Sequence, residues 1–284
     1  MPVLGLVSDT HMPRRCDALP PGLFEALGGV DLVLHAGDVG ELWVLDRLAA
    51  IAPVVAVHGN DDTADAQREL PYQQVVAVGG ARVLLCHSHN PDRAGEMASR
   101  AGDALLPKLA RVARLASGAG AAVLVFGHWH IPLVESVDGV LLVNPGAIGT
   151  PNATTRQLRQ VVARLYVEPG RAPRVEHVDV ADPGRVFRPE VDPALGFRAA
   201  FARFGASILD PAVAPERWDA LRGAAGELVG REAAEEAVLR VARRVWRGQQ
   251  QWIGPGDLLA ELEADPGAPP GSLARLRSLA ADGA

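Results

Sequence analysis

The stretch VLGLVSDTH (residues 3–11) indicates the fold, because an apolar run ends there in polar residues that can bind ligands. Four further segments repeat this arrangement, each after its own apolar run: Gly37-Asp38, Gly59-Asn60-Asp61-Asp62, His87-Ser88-His89 and Gly127-His128-Trp129-His130. Alternation of such runs with helical stretches predicts an α/β domain with a mixed or parallel sheet whose faces are both covered. Since loops after strand C-termini converge on one sheet edge, we expect these polar residues to share one pocket.

The sequence from Gln74 to Val180 has a different character, because pairs of apolar strands are joined by short turns. The turns are Gly79-Gly80, Asp138-Gly139 and Glu168-Pro169-Gly170, and they predict three hairpins. One long helix over residues 93–117 and a buried strand over residues 123–126 lie between the first two hairpins. The two halves together predict two sheets packed face to face, with helices outside.

Residues 181–193 contain three prolines and a glycine and are predicted to be a linker. The predicted domains are therefore residues 1–180, which carry the polar segments, and an all-helical C-terminal extension over residues 194–284. Its clearest helix is Arg231–Arg247, with Ala234, Val238, Val241 and Val245 on one face. We expect such apolar faces to pack on the first domain or to join the subunits of a homo-oligomer, because exposed apolar stripes are costly. The alternative is an independent bundle.

Composition excludes several classes of protein. The chain of 284 residues has a net charge of −6 and a pI of about 5.8, so nucleic acid is not an expected partner. Its two cysteines exclude a disulfide scaffold and a cysteine-rich zinc site. No apolar run approaches the roughly 20 residues of a membrane helix, and the N-terminus lacks the basic region of a signal peptide. We therefore expect a cytoplasmic protein with no membrane partner.

Seven of the polar residues are candidate metal ligands: Asp9, His11, Asp38, Asn60, His87, His128 and His130. Each segment alone is compatible with ordinary turn chemistry, whereas all of them together at strand ends are improbable by chance. Mixed oxygen and imidazole donors suit Mn, Fe, Zn or Ni better than Mg or Ca. Seven donors are more than one tetrahedral ion can bind. They fit two ions about 3.5–4 Å apart that share a carboxylate.

The succession Asp-x-His, Gly-Asp, Gly-Asn, a lone His and Gly-His-x-His resembles the signature of calcineurin-like metallophosphoesterases, over about residues 1–180. With Asn144-Pro145-Gly146, it is most similar to small bacterial and archaeal phosphodiesterases of the YfcE type, which also resemble the retromer subunit Vps29. The resemblance implies a four-layer calcineurin-like sandwich of two mixed sheets flanked by helices. It also implies a metal-dependent phosphoesterase, and a phosphodiesterase in the first place. The alternative is a non-catalytic scaffold of the Vps29 kind, which should have lost ligands; none of the seven is missing here.

The resemblance also assigns roles to these residues. Asp9, His11 and His130 would bind one ion, Asn60, His87 and His128 the second, and Asp38 would bridge both. The ions would be divalent, manganese first, and a hydroxide that they share would attack the phosphorus of a small phosphorylated substrate.

Further predictions concern catalysis and substrate binding. Asp38, Asn60 and His89 are candidates for catalysis, and Asn60, His89 and Arg156 are candidates for substrate binding. A capping or surface role for His89 and a solvated position for Arg156 are the alternatives. Asp61 stands where many calcineurin-like enzymes have a histidine that acts as general acid; an ordinary aspartate is ionised at neutral pH and cannot protonate a leaving group. His35 and His58 are predicted to be structural or to support the ligands.

Overall fold

The computed structural model describes residues 1–265 and 273–281. The strands are β1 (Val3–Val7), β2 (Leu32–His35), β3 (Val54–Ala56), β4 (Gln73–Val78), β5 (Ala81–Cys86), β6 (Val123–Phe126), β7 (Leu133–Val137), β8 (Val140–Asn144), β9 (Thr155–Gln157), β10 (Val161–Tyr166), β11 (Arg174–Asp179), β12 (Val186–Phe187) and β13 (Gly205–Ser207). The helices are α1 (Pro21–Ala26), α2 (Trp43–Leu48), α3 (Ala64–Glu69), α4 (Arg93–Ala101), α5 (Leu105–Gly118), α6 (Phe197–Phe201), α7 (Pro215–Val229), α8 (Arg231–Trp246), α9 (Pro255–Glu263) and α10 (Ala274–Ala281).

Two mixed sheets form the sandwich. The first has the order β12-β11-β10-β1-β2-β3, with β1, β2 and β3 parallel and the others antiparallel. The second has the order β4-β5-β6-β8-β7, with β5, β6 and β8 parallel. The three predicted hairpins are confirmed as β4–β5, β7–β8 and β10–β11.

Strand β6 shows why its sequence is apolar throughout. Successive side chains of a strand point to opposite faces, and all four residues of β6 are buried. Val123 and Val125 belong to the cluster between the two sheets, whereas Leu124 and Phe126 pack with α5 on the outer face. The outer face of the first sheet is covered in the same way by α1 and α2. The predicted four-layer α/β sandwich is therefore confirmed.

The single helix predicted over residues 93–117 is wrong, because the chain forms two helices there. Helix α4 has no buried residue, whereas α5 buries Leu105, Leu109 and Val112 among others against the second sheet. Helix α4 ends at Ala101, and Gly102 after it has extended backbone. The polar composition of α4 gives it no apolar face that would continue the packing of α5.

The described residues form two compact units, residues 1–151 with 157–205, and residues 152–156 with 206–284. This division lies later than the predicted linker at 181–193. Strand β12 pairs with β11, so that segment extends the first sheet. Phe187, Ala200 and Phe204 also pack in the apolar cluster on the second sheet. These contacts attach residues 181–205 to the sandwich, although the prolines suggested a linker.

The second unit has its own apolar core. Its cluster includes Trp218 of α7, Val241 of α8 and Leu258 of α9. The predicted helix at Arg231–Arg247 is observed as α8, with Ala234, Val238, Val241 and Val245 all buried. The extension is not purely helical, because β13 lies at its start. Among the described residues, no helix is long and apolar enough to cross a membrane.

Candidate metal centre

The candidate ligands lie in loops that follow neighbouring parallel strands. In the first sheet, the loops after β1, β2 and β3 carry Asp9 with His11, then Asp38, then Asn60. In the second sheet, the loop after β5 carries His87, and the loop after β6 carries His128 and His130. Because the strands within each set are parallel and adjacent, each set presents its loops at one edge.

Asp9, His11 and His130 form the first group of possible metal ligands, whose ligand atoms lie within 4.8 Å of one another. The Nε2 atoms of His11 and His130 are 3.2 Å apart, and Asp9 Oδ1 lies 3.2 Å from His130 Nε2. The three side chains are buried. Two imidazole nitrogens and a carboxylate oxygen therefore converge on one point.

Asp38, His87 and His128 form the second group, by the same 4.8 Å criterion. Asp38 Oδ2 lies 3.1 Å from His87 Nε2 and 3.7 Å from His11 Nε2. Asp38 therefore belongs to the second group and also lies close to His11 of the first.

An unpartnered buried atom supports the fit of this donor set to divalent ions. The Nδ1 atom of His87 donates to the Ala36 carbonyl at 2.8 Å, so Nε2 is the ring nitrogen that faces Asp38 Oδ2 at 3.1 Å. Asn60 Oδ1 is buried without a hydrogen-bond partner. A buried polar atom without a partner costs about 1–3 kcal/mol, and a bound cation would remove that cost.

The protonation states of the buried carboxylate and imidazoles also bear on metal binding. Burial raises the pKa of the Asp38 carboxyl, but His87 and His11 outweigh it and hold the pKa well below its ordinary value. Burial, followed by the Arg15 charge, lowers the pKa of His11 to about 3, so this imidazole is neutral. Asp38 and His11 are therefore in the protonation states that metal binding requires. Burial lowers the pKa of His87, but the Asp38 and Asp9 charges outweigh it and raise the pKa to about 10, so metal binding would displace a proton from this ring.

Backbone strain is concentrated at the centre. Eight non-glycine residues of the described chain have positive φ, and five of them are candidate ligands: Asp9 (54°), His11 (49°), Asp38 (53°), His128 (73°) and His130 (55°). This left-handed conformation costs an L-residue roughly 1–2 kcal/mol. Strain of this kind persists where the surrounding structure enforces it, and it clusters at functional sites.

Two glycines of the motifs are explained by close backbone approach. A Cβ atom at Gly59 would lie 2.0 Å from Asp38 Oδ1, and one at Gly127 would lie 2.0 Å from Ser8 Oγ. The glycine before Asn60 and the glycine before His128 therefore leave room for the side chains of the centre.

Asp61 orients its neighbours and is held as an acceptor. Its backbone N–H donates to Asp38 Oδ1 at 2.8 Å, and Asn60 Nδ2 donates to Asp61 Oδ1 at 2.7 Å. The Arg15 guanidinium donates to the other carboxylate oxygen. Burial and the Asp38 charge raise the pKa of Asp61, but Arg15 and His11 outweigh them and the pKa is lowered. The sequence reasoning did not single out Arg15, although it lies only four residues after His11.

The remaining predicted residues occupy different environments. His89 is buried, its ring centroid is 5.5 Å from that of His87, and its Nδ1 has no partner. Arg156 is exposed on β9 and belongs to the second unit, so its role in substrate binding stays a prediction. His35 is fully buried and contacts the Thr10 hydroxyl at 3.1 Å. Glu96 was missed because no motif marks it, yet its carboxylate contacts His128.

Comparisons with known proteins identify the class of this chain. Residues 3–170 match the calcineurin-like phosphoesterase superfamily domain. The chain therefore belongs to this superfamily of phosphoesterase hydrolases, which typically bind divalent metals.

Individual relatives agree with this assignment. The chain is 31% identical over 159 residues to a probable metallophosphoesterase of Methanocaldococcus jannaschii, covering 56% of this chain and 74% of the relative. It is 34% identical over 152 residues to a probable metallophosphoesterase of Methanothermobacter thermautotrophicus, covering 54% of this chain and 80% of the relative. The structure of vacuolar protein sorting 29 from Cryptosporidium parvum superposes with a TM-score of 0.51 at 21% identity, covering 66% of this chain and 94% of that one. This last similarity supports the fold.

Proposed function

We propose that the protein is a phosphodiesterase whose centre holds two divalent metal ions. The observation that carries this proposal is the position of Asp38, which contacts His11 of the first ligand group and His87 of the second. The two groups supply six donors and Asn60 is proposed as the seventh, and seven donors match a pair of ions better than a single ion.

Asp9, His11 and His130 would hold one ion, Asn60, His87 and His128 would hold the other, and Asp38 would be shared. The two observed groups support this division, and Asn60 is assigned from the resemblance. When bound, two divalent ions, manganese in the first place, neutralise charge on phosphoryl oxygens and make a water nucleophilic at neutral pH. Iron, zinc and nickel also suit these donors.

Residues around the ligands keep them in place. His128 N–H donates to Asp9 Oδ2 at 3.0 Å, and the Asp61 N–H donates to Asp38 Oδ1 at 2.8 Å. Such supporting hydrogen bonds orient metal ligands, and their loss typically reduces metal affinity or activity 10–100-fold. His89 has a buried, unpartnered Nδ1 beside the centre, and we assign it a hydrogen bond to the substrate.

The proposed preference for a diester over a monoester rests on the protein charges beside the ligands. A diester carries one negative charge at neutral pH, and a monoester carries nearly two. Arg15 is a basic side chain at the centre, but its guanidinium is already paired with Asp61. Its charge is therefore not free to compensate the second charge of a monoester.

Hydrolysis of bis(4-nitrophenyl) phosphate by the full-length protein loaded with manganese tests this proposal. We expect turnover that requires metal, with kcat/KM higher than for 4-nitrophenyl phosphate. The proposal requires that Asp38→Ala abolish turnover, whereas Met97→Ala, at an exposed position, should leave it unchanged. Binding of manganese without turnover of either ester would favour the non-catalytic scaffold.

A further inference from the structure

Helix α4 places a carboxylate directly on one of the proposed metal ligands. Glu96 Oε1 lies 2.7 Å from His128 Nε2, and the two side chains are only 14% and 13% exposed. The two residues are 32 positions apart, so the contact belongs to the tertiary structure and not to a local turn.

The other contacts of Glu96 are all with hydrogen-bond donors. Oε2 accepts from the Asn90 backbone N–H at 2.9 Å and from Asn90 Nδ2 at 3.2 Å, while Oε1 also accepts from Arg100 Nε at 2.7 Å. An ionised carboxylate is an acceptor only. The hydrogen of the contact with His128 therefore resides on Nε2, and Nδ1 is the nitrogen with a lone pair available for a metal.

Packing does not account for this arrangement. Helix α4 has no buried residue, and its N-cap is a local bond from the Gly95 N–H to Asp92 Oδ1. Glu96 is half-buried on such a helix and accepts hydrogen bonds from several donors, so its side chain contributes little to the core. The ring of His87 is oriented by a hydrogen bond to the Ala36 backbone carbonyl, whereas the ring of His128 is oriented by the Glu96 side chain.

We propose that Glu96 is a positioning residue for the metal centre: it holds the proton on Nε2 of His128 and so presents Nδ1 to the second ion. This inference rests on the proposed function in requiring that His128 bind a metal. A carboxylate that accepts a hydrogen bond from the outer nitrogen of a metal-bound histidine fixes the ring and increases its basicity.

The tautomer of His128 in the metal-free protein provides the first test. Imidazole ¹⁵N chemical shifts and long-range ¹H–¹⁵N correlations at pH 8 distinguish a proton on Nε2 from one on Nδ1. We expect the Nε2–H form in the wild type and in Glu96→Gln, whose amide oxygen still accepts. We expect a mixture of tautomers in Glu96→Ala, with Met97→Ala on the same helix as the unchanged control. A wild-type ring protonated on Nδ1 would overturn the proposal without touching the proposed activity.

Manganese binding measured by titration calorimetry provides the second test. In Glu96→Ala we expect one of the two affinities to fall 10–100-fold and the other to stay at the wild-type value. Glu96→Gln should recover most of the loss, because it restores an acceptor for Nε2–H. Unchanged binding of manganese by Glu96→Ala would refute the positioning role. Tighter binding would also refute it, because it would mean that Glu96 competes with the metal for His128. Absence of manganese binding by the wild type would instead refute the proposed function.

Discussion

The dependence of rate on the leaving group tests the chemistry of the centre most directly. The carboxylate of Asp61 accepts hydrogen bonds from Arg15 on one oxygen and from Asn60 on the other, and its pKa lies below the ordinary value. It therefore has no proton to give at neutral pH, although the resemblance aligns it with the histidine general acid of many calcineurin-like enzymes.

Two neighbours could replace it as a proton donor, and the structure disfavours both. Asp62 has a pKa raised to about 6 by burial and by the Asp38 charge, but its two oxygens accept the backbone N–H groups of Gly40 and Gly59 at 2.6 and 2.7 Å. Burial and the charge of His87 lower the pKa of His89 to about 4, so this ring is neutral at pH 7.

We therefore expect hydrolysis without general-acid assistance. General-acid catalysis is worth about 10²–10⁴ in rate, or roughly 3–5 kcal/mol of activation free energy. Aryl esters lose least from its absence, since their leaving groups need no proton. Measured as kcat/KM over a series of aryl and alkyl phosphodiesters, the rate should fall steeply as the pKa of the leaving group rises, and simple alkyl esters should react weakly.

Substitutions at Asp61 extend this experiment. Asp61→His should flatten the dependence where the imidazole reaches the leaving oxygen. Asp61→Asn is the matched control, because its amide oxygen still accepts from Asn60 but the side chain supplies no acid. A flat wild-type series, measured where product release is not limiting, would refute the reasoning and assign the proton to another group such as Asp62 or His89.

Four other predictions address the metal ions, the fold and the charges. Asp38→Ala should abolish hydrolysis and lower the metal content measured by mass spectrometry, while the circular dichroism spectrum stays that of a folded protein; full activity would end the two-metal interpretation. Manganese at about 100 times its Kd should add about 2.7 kcal/mol of stability for each ion bound and raise Tm by roughly 5–10 °C for each, and EDTA should reverse this shift. A chain ending after Val180 should be less stable towards urea than one ending after Gly205, because it lacks Ala200 and Phe204 of the core; equal midpoints would contradict the observed packing. Burial raises the pKa of Glu261, but Arg240 and Arg244 lower it overall, so its contribution is present above the ordinary pKa of 4.5 and is lost as pH falls through the folded-state pKa. Glu261→Gln should therefore cost about 1 kcal/mol at pH 7 and progressively less below pH 4.5 in denaturation curves.

The sequence by itself determined most strands and the composition of the site. Apolar runs such as Val123–Phe126 specify a buried strand locally, and Asp138-Gly139 specifies a hairpin through its turn preference. The ligand residues could be predicted because each follows a strand directly, and parallel neighbours bring such positions to one edge.

Tertiary structure alone decided which distant residues contact the ligands and which segments join the core. The contact of Arg15 with Asp61 and that of Glu96 with His128 span 46 and 32 residues, and no local pattern encodes them. The same holds for the left-handed backbone of Asp9, which an L-residue adopts at a cost only where surrounding contacts enforce it. Residues 181–205 carry linker-like prolines, yet the apolar side chain of Phe204 joins them to the sandwich core, because burial against a sheet is decided by what lies opposite in space.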